Sequence, residues 1–110
     1  MSDDEAVFAA LADGTRRHLL DSLYARNGQT LVELGAALDI TRQAVSKHLG
    51  VLERAGLVVA FRRGREKRHY LNPAPLADIA VRWIGKYERS LVTALADLKR
   101  ELEEENHDGT

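Results

Sequence analysis

Two groups of side chains near the middle of the chain have the types and spacings to do chemistry. Thr41, Arg42, Gln43, Ser46, Lys47 and His48 fall within eight residues, and helical spacing would put Arg42, Gln43, Ser46 and Lys47 on one side of the first two turns. Arg can hold guanine O6 and N7 through paired hydrogen bonds, Gln can do the same at adenine N6 and N7, and Ser and Lys suit base edges or phosphates. In the second group, Arg62, Arg63, Arg65, Lys67 and Arg68 surround Gly64, with Glu66 as the one acid among them. A tip of this kind can lie along a sugar-phosphate backbone or put an Arg into a narrow minor groove. The plainer alternatives are a solvated helix face and a hairpin edge charged to resist aggregation. What lies around the two groups separates these readings.

Other chemistries find little support. The histidines are His18, His48, His69 and His107, and no two lie three or four apart, so no helix offers a ready pair of metal ligands. His18 and His48 read as local polar or packing residues, although His48 also stands beside Lys47 in the contact set. No nucleophile has an adjacent base, no glycine-rich loop could cradle a phosphate, and no carboxylate pair is constrained. The expectation is therefore a non-enzyme without catalytic residues, metal site or cofactor. The absence of cysteine removes disulfides and thiolate ligands and fits a reducing cytoplasm. MSDDEAVF lacks the pattern of a signal peptide, and no run of about 18 apolar residues could span a bilayer, so a soluble cytoplasmic protein is expected.

A net charge of -1 would argue against a polyanionic partner if the charge were evenly spread, but it is segregated. Residues 41–72 hold eight Lys or Arg against two acids, whereas residues 88–110 hold seven acids against three bases. A basic middle and an acidic end imply a phosphate-facing side and a solvated far side.

The elements that must position these groups follow from periodicity and caps. A length of 110 residues predicts one domain, 1–110. Residues 3–12 read as a short helix, with Asp3 and Asp4 at its positive end. Asp13-Gly14-Thr15 interrupts it. A second helix runs from a Thr15 cap to Arg26, carries Leu19, Leu20 and Leu23 inward, and ends at Asn27-Gly28. Thr30 and Glu33 have capping-box spacing, and Leu31, Leu34 and Leu38 continue a third helix. Asp39 and Ile40 lead to Thr41, a three-residue turn into a helix over 41–55 whose Val45, Leu49 and Leu52 form a packing face. That is the outline of a helix-turn-helix, with 41–55 as recognition helix. After Gly56, Leu57–Phe61 and Lys67–Leu71 read as strands around a turn at 62–66, a wing over 57–72. Pro73 and Pro75 introduce a last helix over 75–105 with a heptad-like seam of Ile84, Leu91, Leu95, Leu98 and Leu102. That seam exceeds what one compact core needs, which predicts a subunit interface anchored by Trp83 and Tyr87. The fold expected is mainly α with a small β-hairpin, a winged helix-turn-helix.

ITRQAVSKHLGVLERAGLV followed by RRGREKRHYLN resembles the ArsR family of bacterial winged-helix repressors, with its Ser-x-x-x-Ser-x-His-Leu-x-x-Leu-x-x-Ala-Gly-Leu-Val run and Arg-x-Gly-Arg wing. LADGTRRHLLDSL looks like the family's opening segment, so the similarity extends from about Phe8 to Leu102. The resemblance implies a homodimer through the first and last helices, with Val7 and Leu11 joining Trp83, Ile84, Tyr87, Leu91, Leu95, Leu98 and Leu102. It also implies recognition helices in successive major grooves of a palindromic operator, and repression of a nearby promoter. Arsenic and cadmium sensors of the family bind metal through cysteines in a Glu-Leu-Cys-x-Cys run; here the run is Glu33-Leu34-Gly35-Ala36-Ala37. Zinc and nickel sensors use histidines and acids of the last helix, which here holds Asp78 and Glu88 but no internal histidine. The chain thus looks like a subgroup lacking both sites. The expected partners are double-stranded DNA and a second copy of the chain. The alternatives are a winged-helix protein-interaction module and a metal sensor with ligands such as Glu104 and His107 shared across the dimer.

Overall fold

Capping side chains set most of the helix boundaries. The computed structural model describes residues 3–108, in the order α1 (Asp3–Leu11), α2 (Gly14–Ala25), α3 (Leu31–Leu38), α4 (Arg42–Arg54), β1 (Val58–Arg63), β2 (Glu66–Leu71) and α5 (Ala74–Asp108). The expected five helices and antiparallel hairpin are present. Thr30 and Glu33 cap α3 reciprocally: Thr30 Oγ1 accepts from the Glu33 amide at 3.2 Å, and Glu33 Oε1 accepts from the Thr30 amide at 3.1 Å. Thr41 caps α4 by accepting from the Ala44 amide at 3.1 Å. Between the two helices Asp39 takes a left-handed φ of 53°, and the Ile40 amide donates to the Gly35 carbonyl at 3.1 Å. Gly35 leaves little room for a side chain, because a Cβ there would stand 3.2 Å from the Ile40 carbonyl oxygen. This close approach lets α3 and α4 meet across so short a turn.

Several boundaries differ from expectation. Asp13, not Thr15, caps α2, its Oδ1 accepting from the Arg16 amide at 3.1 Å, so Asp13-Gly14 begins a helix as well as ending one. Only Gly28 of the Asn27-Gly28 pair is left-handed, with φ 82°, while Asn27 Oδ1 accepts from the Leu71 amide at 2.8 Å. The strands reach further than expected and leave only Gly64 and Arg65 as the turn, with Arg62 opposite Lys67 and Arg63 opposite Glu66. The last helix starts at Ala74, where Asn72 Oδ1 accepts from the Ala74 amide at 3.3 Å, and continues to Asp108.

The chain falls into two units, Met1–Ala77 and Asp78–Thr110. The first fully buries Leu19, Leu23, Leu34, Val45, Leu52 and Leu57, each such side chain contributing ~1.5–3 kcal/mol. Val7, expected at a subunit interface, is 1 % exposed and belongs to this core, so it has no surface left to offer a second copy. Leu11 is half-buried. The second unit is the remainder of α5, along which Trp83, Ile84, Tyr87, Leu91, Leu95, Leu98 and Leu102 are exposed. Trp83 and Tyr87 hold their rings 5.8 Å apart, with Lys86 Nζ 5.5 Å from the Trp83 centroid. Among the described residues no helix is long and apolar enough to cross a membrane.

Candidate nucleic-acid interface

Helical periodicity divides α4 into two faces. Val45, Leu49 and Leu52 are buried, while Arg42, Gln43, Ser46 and Lys47 are exposed, and Thr41 spends its hydroxyl on the cap at the helix start. Arg42, Lys47, Arg62, Arg63, Arg65 and Lys67 are all exposed and form no ion pair among the described residues. Cations left unpaired in this way remain available to displace counterions from a phosphate backbone. The two groups meet. Ser46 of α4 and Lys67 of β2 line one cleft of about 320 Å³, floored by Leu31, Leu49 and His69.

Besides Thr41, two members of the expected contact set are engaged within the chain. Arg68 donates to the Gly28 carbonyl at 2.9 Å and to Glu66 Oε2 at 2.5 Å, so its charge is partly neutralised at the base of the hairpin. His48 is half-buried, with Nδ1 3.3 Å from an Arg16 guanidinium nitrogen.

Sequence reasoning missed how the wing is rooted. The Gly28 amide donates to the His69 carbonyl and the His69 amide donates to the Gln29 carbonyl, both at 2.9 Å, so the loop before α3 pairs with β2. Gln29 and His69 are each 3 % exposed and need internal partners. Gln29 Nε2 donates to the carbonyls of Ser22 (2.9 Å) and Arg26 (2.7 Å). His69 Nδ1 lies 3.0 Å from the Gln29 carbonyl, which can only accept, so Nδ1 carries a hydrogen; Nε2 faces Glu53 Oε1 of α4 at 3.9 Å. A single bridge has no period, so no sequence pattern flags it. The nearest signal was Gly28 itself, whose Cβ would stand 3.3 Å from the Tyr70 ring.

Local hydrogen bonds set the electrostatics of the caps. The Glu33 carboxyl is held below the ordinary glutamate range, chiefly by the Thr30 amide. Asp13 is lowered chiefly by the Arg16 amide, with the Arg16 charge adding to it. Glu33 also pairs with Arg26 at 2.5 Å, so the acid in the segment where the family's thiolate sensors carry cysteines is committed to a cap. No group of three His, Cys, Asp or Glu able to hold a metal occurs among the described residues. Glu104 is exposed, and the His107 side chain lies outside the described residues.

A helix-turn-helix domain model matches residues 11–59. The HTH-type transcriptional regulator YuzN of Bacillus subtilis is 46% identical over 86 residues, covering 73% of this chain and 94% of that protein. An ArsR-like transcriptional regulator from Rhodococcus sp. RHA1 superposes with a TM-score of 0.77 at 36% identity, covering 92% of this chain and 91% of that one. The homodimeric winged helix-turn-helix DNA-binding domain Mb0332 from Mycobacterium bovis superposes with a TM-score of 0.63 at 25% identity, covering 79% and 81%.

Proposed function

Because the chain belongs to the ArsR family of winged helix-turn-helix transcriptional regulators, we propose that it is a homodimeric, sequence-specific repressor of double-stranded DNA that is not gated by metal. The observation that carries this is that α4 and the wing each present exposed, unpaired cations and share one cleft, lined by Ser46 of α4 and Lys67 of β2. Arg42 and Gln43 read base edges from the first turn of α4, while Thr41, Ser46, Lys47 and His48 contact base edges or phosphates. Arg62, Arg63, Arg65 and Lys67 follow the backbone, and Arg68 joins them from the root of the wing. The second copy docks through Trp83, Ile84, Tyr87, Leu91, Leu95, Leu98 and Leu102 with Leu11, in keeping with the homodimeric state of the Mycobacterium bovis domain. Two copies then place α4 in major grooves about 34 Å apart on a palindromic operator, and occupation of a promoter blocks transcription in the cytoplasm. Residues 1–110 act as one regulatory domain without catalysis.

A gel-shift titration of the purified protein against the promoter region of its own gene tests this. Saturation should come well before that of random DNA of equal length, with log K falling by roughly 0.9 per phosphate contact per decade of salt. Equal affinity for both DNAs sinks the repressor reading.

A further inference from the structure

One side chain outside the contact set joins three elements. Arg16 Nε donates to the Ala10 carbonyl at 2.7 Å and Nη2 donates to the Ala9 carbonyl at 3.0 Å, closing the last turn of α1. Nη1 lies 3.3 Å from Nδ1 of His48 on α4, and the Arg16 backbone amide is held by Asp13 at the start of α2. All three guanidinium nitrogens are thus directed, two at α1 and one at α4. A guanidinium has no acceptor, so the contact with His48 is a hydrogen bond only if Nδ1 offers its lone pair and the ring hydrogen sits on Nε2. A hydrogen bond at this distance therefore requires the Nε2–H tautomer.

We propose that Arg16 is a positioning residue for DNA recognition: it fixes His48 as the Nε2–H tautomer and, through that ring, sets the recognition helix relative to α1. The proposal rests on the DNA-binding function argued above. It gives the Asp13-Gly14-Thr15-Arg16 turn a role beyond ending one helix and starting another. Asp13 offsets part of the Arg16 charge, so the guanidinium can sit beside an imidazole without a bare cation between the helices. Lys cannot replace Arg here, because one ammonium cannot meet two carbonyls on α1 and a ring nitrogen on α4 from a planar fork. The neighbours of His48 one turn away on its own helix, Ala44, Val45, Val51 and Leu52, are apolar, so the Arg16 contact is the ring's one directional tie within the chain among the described residues.

The first test needs no DNA. Imidazole nitrogen spectra of the full-length protein at about pH 8, where free imidazoles are neutral, should show His48 with hydrogen on Nε2 and a bare Nδ1. An Nδ1–H tautomer overturns the proposal and leaves the DNA reading untouched. The second test uses a duplex selected by the wild-type protein from a random pool, compared with a scrambled duplex. Arg16→Lys should lose about tenfold of the preference for the selected duplex while binding the scrambled one near wild-type strength, and His48→Leu should lose at least as much of that preference. His48→Gln, whose amide oxygen can accept from Arg16, should keep that preference. If Arg16 acts only through His48, the double variant should lose no more than His48→Leu alone. Additive losses overturn the proposal, as does full preference in His48→Leu. If Arg16→Lys does not fold, as thermal unfolding would reveal, the tautomer and the His48 pair decide. Failure of wild-type protein to select any duplex refutes the DNA reading instead.

Discussion

Leu19 and Leu23 of α2 and Leu49 and Leu52 of α4 are buried within their own unit, whereas Leu91, Leu95, Leu98 and Leu102 of α5, at the same kind of spacing, are each more than half exposed. The chain thus contains one apolar pattern with two destinations. Spacing of three and four residues says that a stripe exists; it does not say what covers it. Up to Ala77 the cover comes from the chain itself, whereas in the proposed dimer a second copy covers Leu91, Leu95, Leu98 and Leu102. Acidic side chains crowd the end of the same helix while the unpaired bases gather on α4 and the wing, so the proposed association and DNA-contact surfaces are charged differently.

The largest effect should come from breaking the second destination. Leu95→Asp places a charge in the seam and should halve the mass seen by light scattering, lowering operator affinity by about two to four orders of magnitude because the half-sites no longer bind as a pair. A variant that stays dimeric would put the interface elsewhere. Next comes the first destination, tested in that monomeric background: Leu52→Ala should cost about 2–5 kcal/mol in urea unfolding, since it empties a fully buried site. A cost below about 1 kcal/mol would mean that the first unit does not hold its core without pairing.

The contact surface can be split in the same way. Arg42→Ala or Gln43→Ala should cost about 1–3 kcal/mol on the selected site and relax base preference there, while Arg65→Ala should weaken all sequences alike and reduce the salt slope by about 0.9. Equal behaviour of the two classes in a competition assay would dissolve the distinction between reading helix and backbone-following wing. The smallest effect concerns the cap. Thr30→Ala should cost about 1 kcal/mol. Glu33 is lowered in the folded state, so the unfolded chain takes up protons first; its contribution is present near neutrality and is lost as acid carries the pH down through the lowered folded value. Glu33→Gln should therefore flatten the fall in stability on acidification, as read by thermal unfolding across an acid series.

The helix-turn-helix was legible because its signals are local: the Thr30/Glu33 box, the Thr41 cap and the alternation of Val45, Leu49 and Leu52 with exposed bases each need only a few residues. The hairpin was legible in its place but not in its length, since Arg62, Arg63 and Glu66 look like turn residues until cross-strand pairing is known. Val7 went astray for a related reason. On a nine-residue helix an apolar residue fits equally well against its own chain or another, and the burial that settles the matter comes from distant residues. The Gln29–His69 bridge and the Arg16–His48 contact join positions 40 and 32 apart, beyond any periodic pattern.

The pairing of Gly28 and Gln29 with β2 divides the hairpin into a fixed base and a free tip. Amides at the base are locked in rungs from the loop side, whereas a Cβ added at Gly64 would meet nothing within 4 Å. Length can therefore change at the tip, by a residue or two gained or lost around Gly64 and Arg65, without disturbing how the base is anchored. In this architecture the reach of the wing is a dimension that can change independently while α4 stays where it is.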